Sequence, residues 1–165
     1  MFKVGDLIVY GNTGVCRVEK IGPPDLVSVN DGKDYYTLAP YYSQTSRIFT
    51  PCDNDRVVMR PVVSKSEAKK IISEIRSIES LVITDEKNRE TIYKEIIRGC
   101  DCRKIIGLIK MIHERKKIRI AEGKKVTAND EKYYSLAEEK ICGELAVALG
   151  TDKSKVKLKL QETVE

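Results

Sequence analysis

The spacing of apolar residues changes once along the chain, between residues 61 and 64, and this change constrains the fold more than any other feature. Before it, apolar side chains come in short runs that alternate with polar ones, as in half-buried strands. After it, they recur three or four residues apart, as on one face of a helix. The sequence therefore predicts an α+β protein with a β domain over residues 1–61 and an all-α domain over residues 64–165.

The first domain contains five short segments with the composition of strands, separated by Gly, Pro and Asn residues that favour turns. Gly22-Pro23-Pro24 ends the second segment, because proline cannot donate a hydrogen bond to a sheet. So few strands enclose a core most simply as a small β-barrel. The predicted strands are Val4–Tyr10, Gly14–Ile21, Asp34–Leu38, Arg47–Thr50 and Arg56–Arg60.

The second domain carries repeated signals for the starts and ends of helices. Ser64 with Glu67, and Thr127 with Asp130, have the spacing of capping boxes. Glycines and the breaks in apolar periodicity mark the ends. The predicted helix starts are Ser64, Thr84, Asp101, Thr127 and Thr151, and the predicted ends lie near Leu81, Gly99, Gly123 and Gly150.

The net charge of +5 lies entirely in the second domain. Six cations fall within eleven residues, at the end of the predicted third helix and just after it: Arg115, Lys116, Lys117, Arg119, Lys124 and Lys125. Such a cluster favours a polyanionic partner such as DNA. The alternative is that these residues complement the negative end of the helix dipole. No zinc-finger spacing or RNA-binding motif accompanies the cluster, so contact with the DNA backbone or minor groove is favoured over base readout.

Residues typical of catalysis are scarce, which favours a non-enzymatic protein without a small-molecule substrate. His113 is the only histidine, and its charged neighbours in sequence predict a structural or solvated role. The Gly-rich loops that bind nucleotide phosphates are absent. We therefore expect no catalytic residues and no cofactor.

The five cysteines are odd in number and irregularly spaced, which agrees with a reducing compartment rather than a disulfide framework. Cys100 and Cys102 are one residue apart, whereas zinc sites use longer spacings and a second pair. We expect no metal site, with a redox or metal role for these two as the alternative. No apolar run is long enough to span a membrane and no secretory signal is visible, so the expected location is the cytoplasm.

Three segments resemble the CarD-like family of bacterial transcription regulators. Residues 2–15, FKVGDLIVYGNTGV, resemble the family's opening F-x-[IV]-G-D-x-[IV]-V-Y-x-x-x-G. Residues 49–54, FTPCDN, resemble its [IV]-P-[VA]-[DE]-N strand end, and residues 137–146, AEEKICGELA, resemble its A-x-x-x-[LI]-x-x-E-L-A helix. The segments occur in the family's order, and the chain is similar to a shorter variant found in anaerobic Gram-positive bacteria.

This resemblance implies a Tudor-like barrel followed by a compact helical domain. It implies that the barrel binds the β subunit of RNA polymerase by strand addition, through Arg47, Ile48, Phe49 and Thr50. The helical domain would contact promoter DNA at the upstream edge of the transcription bubble and change how readily the open complex forms or persists. Binding to the polymerase would associate the protein with the nucleoid.

The chain departs from the family at one position. Well-studied relatives insert a tryptophan into the minor groove from the helix that corresponds to residues 84–98, and this chain has no tryptophan. Arg89 aligns near that position, and Val82 does so in another register. An arginine can enter a narrow minor groove but cannot wedge apart stacked bases.

Of the family's other basic positions, Lys94 matches one, and a position in the fourth helix falls at Glu131 or Lys132. The predicted DNA-binding residues are Arg89, Lys94, Arg98, Arg115, Lys116, Lys117, Arg119, Lys124, Lys125 and Lys132. The alternative function is an adaptor that binds polymerase without contacting DNA.

Overall fold

A computed structural model describes residues 1–26, 28–43 and 45–165, which divide into two compact units, Met1–Val62 and Val63–Glu165. The first unit is a five-stranded antiparallel sheet, and the second contains five α-helices. The predicted α+β class, with a small β domain before a helical one, is confirmed.

The strands follow the order β4-β3-β2-β1-β5, so that β4 and β5 are the two edges of the sheet. Each strand pairs with its neighbour in sequence, except that β5 pairs with β1. The strands are β1 (Leu7–Tyr10), β2 (Gly14–Gly22), β3 (Tyr35–Pro40), β4 (Ile48–Pro51) and β5 (Met59–Pro61).

Two strands begin later than predicted because the residues before them form turns. Before β1, the amide of Lys3 donates to the Asp6 carboxylate at 2.8 Å, and this turn delays the strand to Leu7. Before β5, Asn54 accepts from the amide of Arg56 and donates to the carbonyl of Val57. The predicted strand Arg56–Arg60 therefore begins only at Met59.

One face of the sheet holds the core of the β domain, whose buried members are Ile8, Cys16, Val18, Tyr36 and Leu38. The hydroxyl of Tyr36 accepts from the amide of Phe2 at 3.1 Å, which ties the first residues to the core. Successive side chains along a strand point to opposite faces of the sheet, so the residues next to these in each strand lie on the other face.

The helices are α1 (Lys65–Glu74), α2 (Arg89–Gly99), α3 (Cys102–Ala121), α4 (Ala128–Leu149) and α5 (Lys153–Val164). Their core is built mainly on α3 and α4, whose inward-facing residues Ile105, Ile106, Leu108, Ile109, Ile112, Ile141 and Leu145 are at most 2% exposed. Gly107 on α3 allows the segment after α1 to pack closely, because a Cβ there would lie 3.0 Å from the carbonyl oxygen of Glu79. Within the described ranges, no helix has the length and apolar character needed to cross a bilayer.

Three predicted helix starts are confirmed by side-chain caps. Ser64 Oγ accepts from the amide of Glu67, and Thr127 Oγ1 accepts from the amide of Asp130, both at 3.1 Å. Asp101 Oδ1 accepts from the amides of Arg103 and Lys104 in the first turn of α3, at 3.0 and 3.1 Å. Each cap satisfies donors that the helix itself leaves unpaired.

One predicted helix end is wrong. α1 ends at Glu74 rather than near Leu81, and the following turns still carry Ile78 and Leu81 against the core. α2 ends at Gly99 as predicted, and the residue after it, Cys100, takes the left-handed conformation at φ 58°. The Cys100 side chain is buried, and this packing outweighs the backbone preference for glycine.

Two predicted starts are also shifted. Asp152, not Thr151, is the N-cap residue of α5, and its side chain makes no cap hydrogen bond. α2 follows a short 3₁₀ helix, Glu86–Asn88, in which the Asp85 carboxylate accepts from the amide of Lys87. The expected first turn of α2 is therefore a separate element that carries Glu86.

The two aspartate caps provide a matched test of helix capping. We expect Asp101→Ala to lower the free energy of unfolding of the helical domain by about 1 kcal/mol, because two amides of α3 lose their acceptor. Asp152→Ala removes no side-chain cap bond and should change stability by less than about half of that. Urea denaturation followed by far-ultraviolet circular dichroism measures both, and equal effects would contradict the capping role of Asp101.

Candidate interaction surfaces

The predicted polymerase-binding segment, residues 47–50, comprises most of edge strand β4 and the residue before it. Among the described residues β4 pairs only with β3, through a register that sets Phe49 opposite Thr37 and Ile48 opposite Leu38. The outer backbone edge of β4 is therefore open to a further strand.

The four predicted residues do not all face the same way. Ile48 packs against the core of the β domain and Thr50 is buried. Phe49 lies on the opposite face and is half-buried, while Arg47 is exposed and donates from Nε to Glu19 Oε2 at 2.6 Å. Only Arg47 and Phe49 offer side chains to a partner, and Ile48 and Thr50 can contribute only backbone groups.

A shallow cleft of about 510 Å³ lies beside β4, lined by Arg17, Glu19, Ala39, Pro40, Tyr41 and Arg47. The rings of Tyr41 and Tyr42 meet edge to face at 5.0 Å, and both remain largely exposed. Exposed tyrosine and arginine are enriched where proteins bind one another. We call β4 with Arg17, Arg47, Tyr41 and Tyr42 the edge surface. Tyr41 and Tyr42 are not among the residues predicted for polymerase binding, although two adjacent aromatic residues after a predicted strand are a visible signal.

Two predicted DNA-binding arginines are held in a network inside the helical domain. Arg89 is only 14% exposed and pairs with the Glu86 carboxylate. Its Nη1 donates to the Tyr93 hydroxyl at 3.2 Å. Arg115 donates from Nε to Asp130 Oδ2 at 2.8 Å, and its Nη1 lies 3.4 Å from Glu86 Oε2. Glu86 thus bridges the two guanidinium groups.

Asp130 is the buried end of this network, with 1% of its side chain exposed. Its Oδ1 accepts from the Tyr93 hydroxyl at 2.8 Å, so α2, α3 and α4 all contribute to its hydrogen bonds. Burial raises the pKa of Tyr93, which keeps the phenol protonated and able to donate. The hydrogen bond from Arg89 lowers the pKa of Glu86, so that carboxylate is ionised at neutral pH.

Most of the other predicted cations contact neighbouring groups at the surface. Lys94 lies 3.4 Å from Glu90, and Lys124 lies 3.1 Å from Glu122. The ammonium groups of Lys116 and Lys132 sit over the rings of Tyr134 and Tyr133, at 4.6 and 5.3 Å. Arg119 donates to the carbonyl of Lys125 at 2.9 Å. Arg98, Lys117 and Lys125 are exposed, and no described acidic side chain forms an ion pair with them.

The end of α3 extends beyond the helical core. Its buried positions stop at Ile112, whereas Ile118 and Ile120 are exposed among basic residues. We call residues 114–125 the α3 tip. Helical geometry sets Arg115 and Arg119 on one face and Lys117 on the opposite one, so the cluster read from the sequence surrounds the helix instead of forming one face.

His113 and the five cysteines are all partly or fully buried. His113 lies partly buried on α3, its Nε2 has no hydrogen-bond partner within the described ranges, and burial lowers its pKa. Cys102 donates from Sγ to Glu144 Oε2 at 3.4 Å, and Cys100 is buried. None of the five cysteines forms a disulfide bond, and the described residues bring no three potential ligands together around a metal ion.

The fold is thus a small antiparallel β domain with an open edge, followed by a basic helical domain. Residues 2–63 match the family of the CarD-like/TRCF RID domain. The N-terminal domain belongs to this family of RNA polymerase-interacting domains, which confirms the resemblance drawn from residues 2–15. The protein is therefore a transcription-related protein that interacts with RNA polymerase.

The Asp130 network generates a stability prediction. Asp130→Ala should lower the free energy of unfolding of the helical domain by about 3 kcal/mol, because it leaves the Tyr93 hydroxyl and the Arg115 guanidinium without their buried acceptor. Glu131→Ala removes a neighbouring acid in the same helical turn that is exposed, and should cost less than about 0.5 kcal/mol. Chemical denaturation of both variants measures the difference, and a similar loss in each would show that Asp130 has no special role.

Proposed function

We propose that the protein is a non-enzymatic transcription regulator that binds the β subunit of RNA polymerase through the edge surface and contacts promoter DNA through the helical domain. The contact with DNA modulates the formation or stability of the open complex. The observation that carries the proposal is the open edge of β4 in a domain of the polymerase-interacting family.

The two edges of the sheet differ in their capacity to accept a strand. β5 has three residues and ends in Pro61, which has no amide hydrogen to donate. β4 has four residues, and its only proline, Pro51, stands at the end of the strand. Main-chain hydrogen bonds along β4 would supply affinity, and the outward side chains of Arg47 and Phe49 would supply specificity. This comparison favours β4 as the docking edge.

The docking proposal is tested with the full chain and purified RNA polymerase. Phe49→Asp should weaken binding by about tenfold or more, because it puts a charge on the outer face of β4. Val58→Asp is the matched control, since Val58 is an exposed apolar residue beside the opposite edge strand β5. Biolayer interferometry measures both, and equal weakening, or none, would contradict docking through β4.

Arg47 could contact the polymerase directly or could serve only to pair with Glu19, and an exchange of the two charges distinguishes these roles. Arg47→Glu breaks the pair with Glu19 as well as any contact with the polymerase. Adding Glu19→Arg restores an internal pair with its polarity reversed. If Arg47 contacts the polymerase, the double variant stays weak, whereas recovery of binding would make its role purely structural.

The DNA contact is supported by the exposed cations of the helical domain. Lys117, Lys125 and Arg98 have no acidic partner among the described residues, so DNA phosphates would meet them without breaking an ion pair. Contacts of this kind release counterions and position a protein without reading sequence. Duplex DNA affinity should therefore be weak for the protein alone and should fall steeply with salt.

Charge reversal at the α3 tip tests this contact. Lys117→Glu with Lys125→Glu should weaken duplex binding and reduce the slope of log affinity against log salt by about two. Lys69→Glu with Lys70→Glu makes the same change of net charge on exposed positions of α1. Fluorescence anisotropy over a salt series compares them. The same loss in both variants would mean that only overall charge matters.

One observation favours a second function, an adaptor that binds polymerase without touching DNA. Arg89, Arg115 and Lys94 are all paired with carboxylates, which leaves less positive charge than the sequence suggests. The two functions differ in one outcome. If the α3-tip reversal leaves open-complex lifetime unchanged while Phe49→Asp abolishes the effect, the adaptor is the correct description.

A further inference from the structure

We propose that Arg89 and Arg115 form a binding site for one phosphodiester group of duplex DNA, and that Glu86 occupies this site in the free protein. The inference rests on the proposed contact between the helical domain and DNA, and it adds a specific site and a means of regulating it. Glu86 acts as an internal anion that a DNA phosphate replaces.

The site is a cleft of about 460 Å³ in the helical domain. The Glu86 carboxylate lies between the two guanidinium groups, accepting from Arg89 Nε at 2.8 Å and lying 3.4 Å from Arg115 Nη1. Two arginines that converge on one oxyanion have the geometry by which proteins bind phosphate groups. Here the oxyanion comes from the protein itself.

Three acids line the cleft, and their environments differ. Asp130 is buried and fixed by Tyr93 and Arg115. Glu90 accepts from the Tyr133 hydroxyl at 3.0 Å and from Asn129 at 3.4 Å, so it is part of the packing between α2 and α4.

Glu86 is 63% exposed, belongs to a short 3₁₀ helix, and among the described residues its side chain pairs only with the two arginines. It is the acid that can rotate into solvent without breaking the helical packing.

When Glu86 leaves, the cleft becomes positive. Arg115 keeps its bond to Asp130, but Arg89 keeps only the Tyr93 hydroxyl and the Met111 sulfur, which carry no formal charge. The first residues of α4, Ala128 and Asn129, also line the cleft. The start of this 22-residue helix adds a positive potential that favours an anion.

The exchange replaces one singly charged oxyanion by another. A phosphodiester carries the same charge as the Glu86 carboxylate and has oxygens that can accept from both guanidinium groups. The arginines are therefore positioned in advance, and no charge is left unpaired in either state. Free in solution, the tethered carboxylate has the higher local concentration. A nearby DNA strand held by the polymerase reverses that advantage, so the site would open chiefly at promoters.

Glu86→Gln tests the proposal, because it removes the competing charge and leaves the size of the side chain unchanged. Duplex affinity should rise by roughly threefold or more, and the salt slope should steepen by about one, for one added phosphate contact. Glu139→Gln is the matched control: Glu139 is 58% exposed and pairs with Lys153 at 2.7 Å, outside the cleft. Adding Arg89→Lys to Glu86→Gln should remove most of the gain, since a lysine cannot donate two parallel hydrogen bonds to one phosphate.

The Nε–H resonances of Arg89 and Arg115 identify the site directly. In Glu86→Gln they should shift on titration with duplex DNA and respond much less to inorganic phosphate at the same phosphate concentration. A response to inorganic phosphate alone would overturn the proposed ligand.

If the wild type binds duplex DNA and Glu86→Gln behaves as Glu139→Gln does, the proposed displacement of Glu86 by a phosphate is wrong, while the proposed DNA contact stands. If no variant binds DNA at any salt concentration, both are wrong. If Glu86→Gln binds duplex DNA and the wild type does not, the result would support the proposal that Glu86 blocks the site.

Discussion

The helical domain depends on one buried carboxylate. Asp130 lies in the first turn of α4, where the helix dipole stabilises its charge, and it accepts from Tyr93 on α2 and Arg115 on α3. A buried ion is tolerated only when its hydrogen bonds are made, so this carboxylate fixes the relative positions of three helices. It also holds Arg115 in place. Arg115 contacts Glu86, and Glu86 in turn pairs with Arg89. The proposed phosphate site therefore follows from the same interaction that orders the fold.

The β domain is under the opposite constraint, since the feature that we propose binds the polymerase is a set of unpaired backbone groups along β4. An open strand edge invites unwanted pairing, and proteins limit that risk by keeping such edges short and charged. β4 has four residues and is preceded by Arg47, which is held by Glu19. These features leave an edge long enough for a specific partner and short enough to discourage self-association.

The sequence predicted most of the architecture because the decisive signals are local. The change of periodicity gave the two domains, and Ser64, Asp101 and Thr127 gave three helix starts, since a cap depends only on residues three positions away. The end of α1 was less predictable: the helix stops at Glu74, although Ile78 and Leu81 continue the apolar spacing and still pack against the core. After α2 the left-handed residue is Cys100, whose side chain is buried, and this is a tertiary effect. The same limit applies to the sites. A charge count identifies Arg89 and Arg115 as cations, but only the packing of α2, α3 and α4 shows that carboxylates already neutralise them.

The pairing of Arg89 and Arg115 with carboxylates explains how a weak DNA contact would be useful. A domain with many uncompensated cations would bind duplex DNA throughout the chromosome, because phosphate contacts carry no sequence information. Pairing Arg89, Arg115 and Lys94 with carboxylates lowers that background. In the proposed function, docking on the polymerase would raise the local concentration of promoter DNA, as in any tethered interaction, so a contact too weak to form in free solution would form there. In such an arrangement the β domain determines where the protein acts, and the acidic partners of the arginines determine that it acts there selectively.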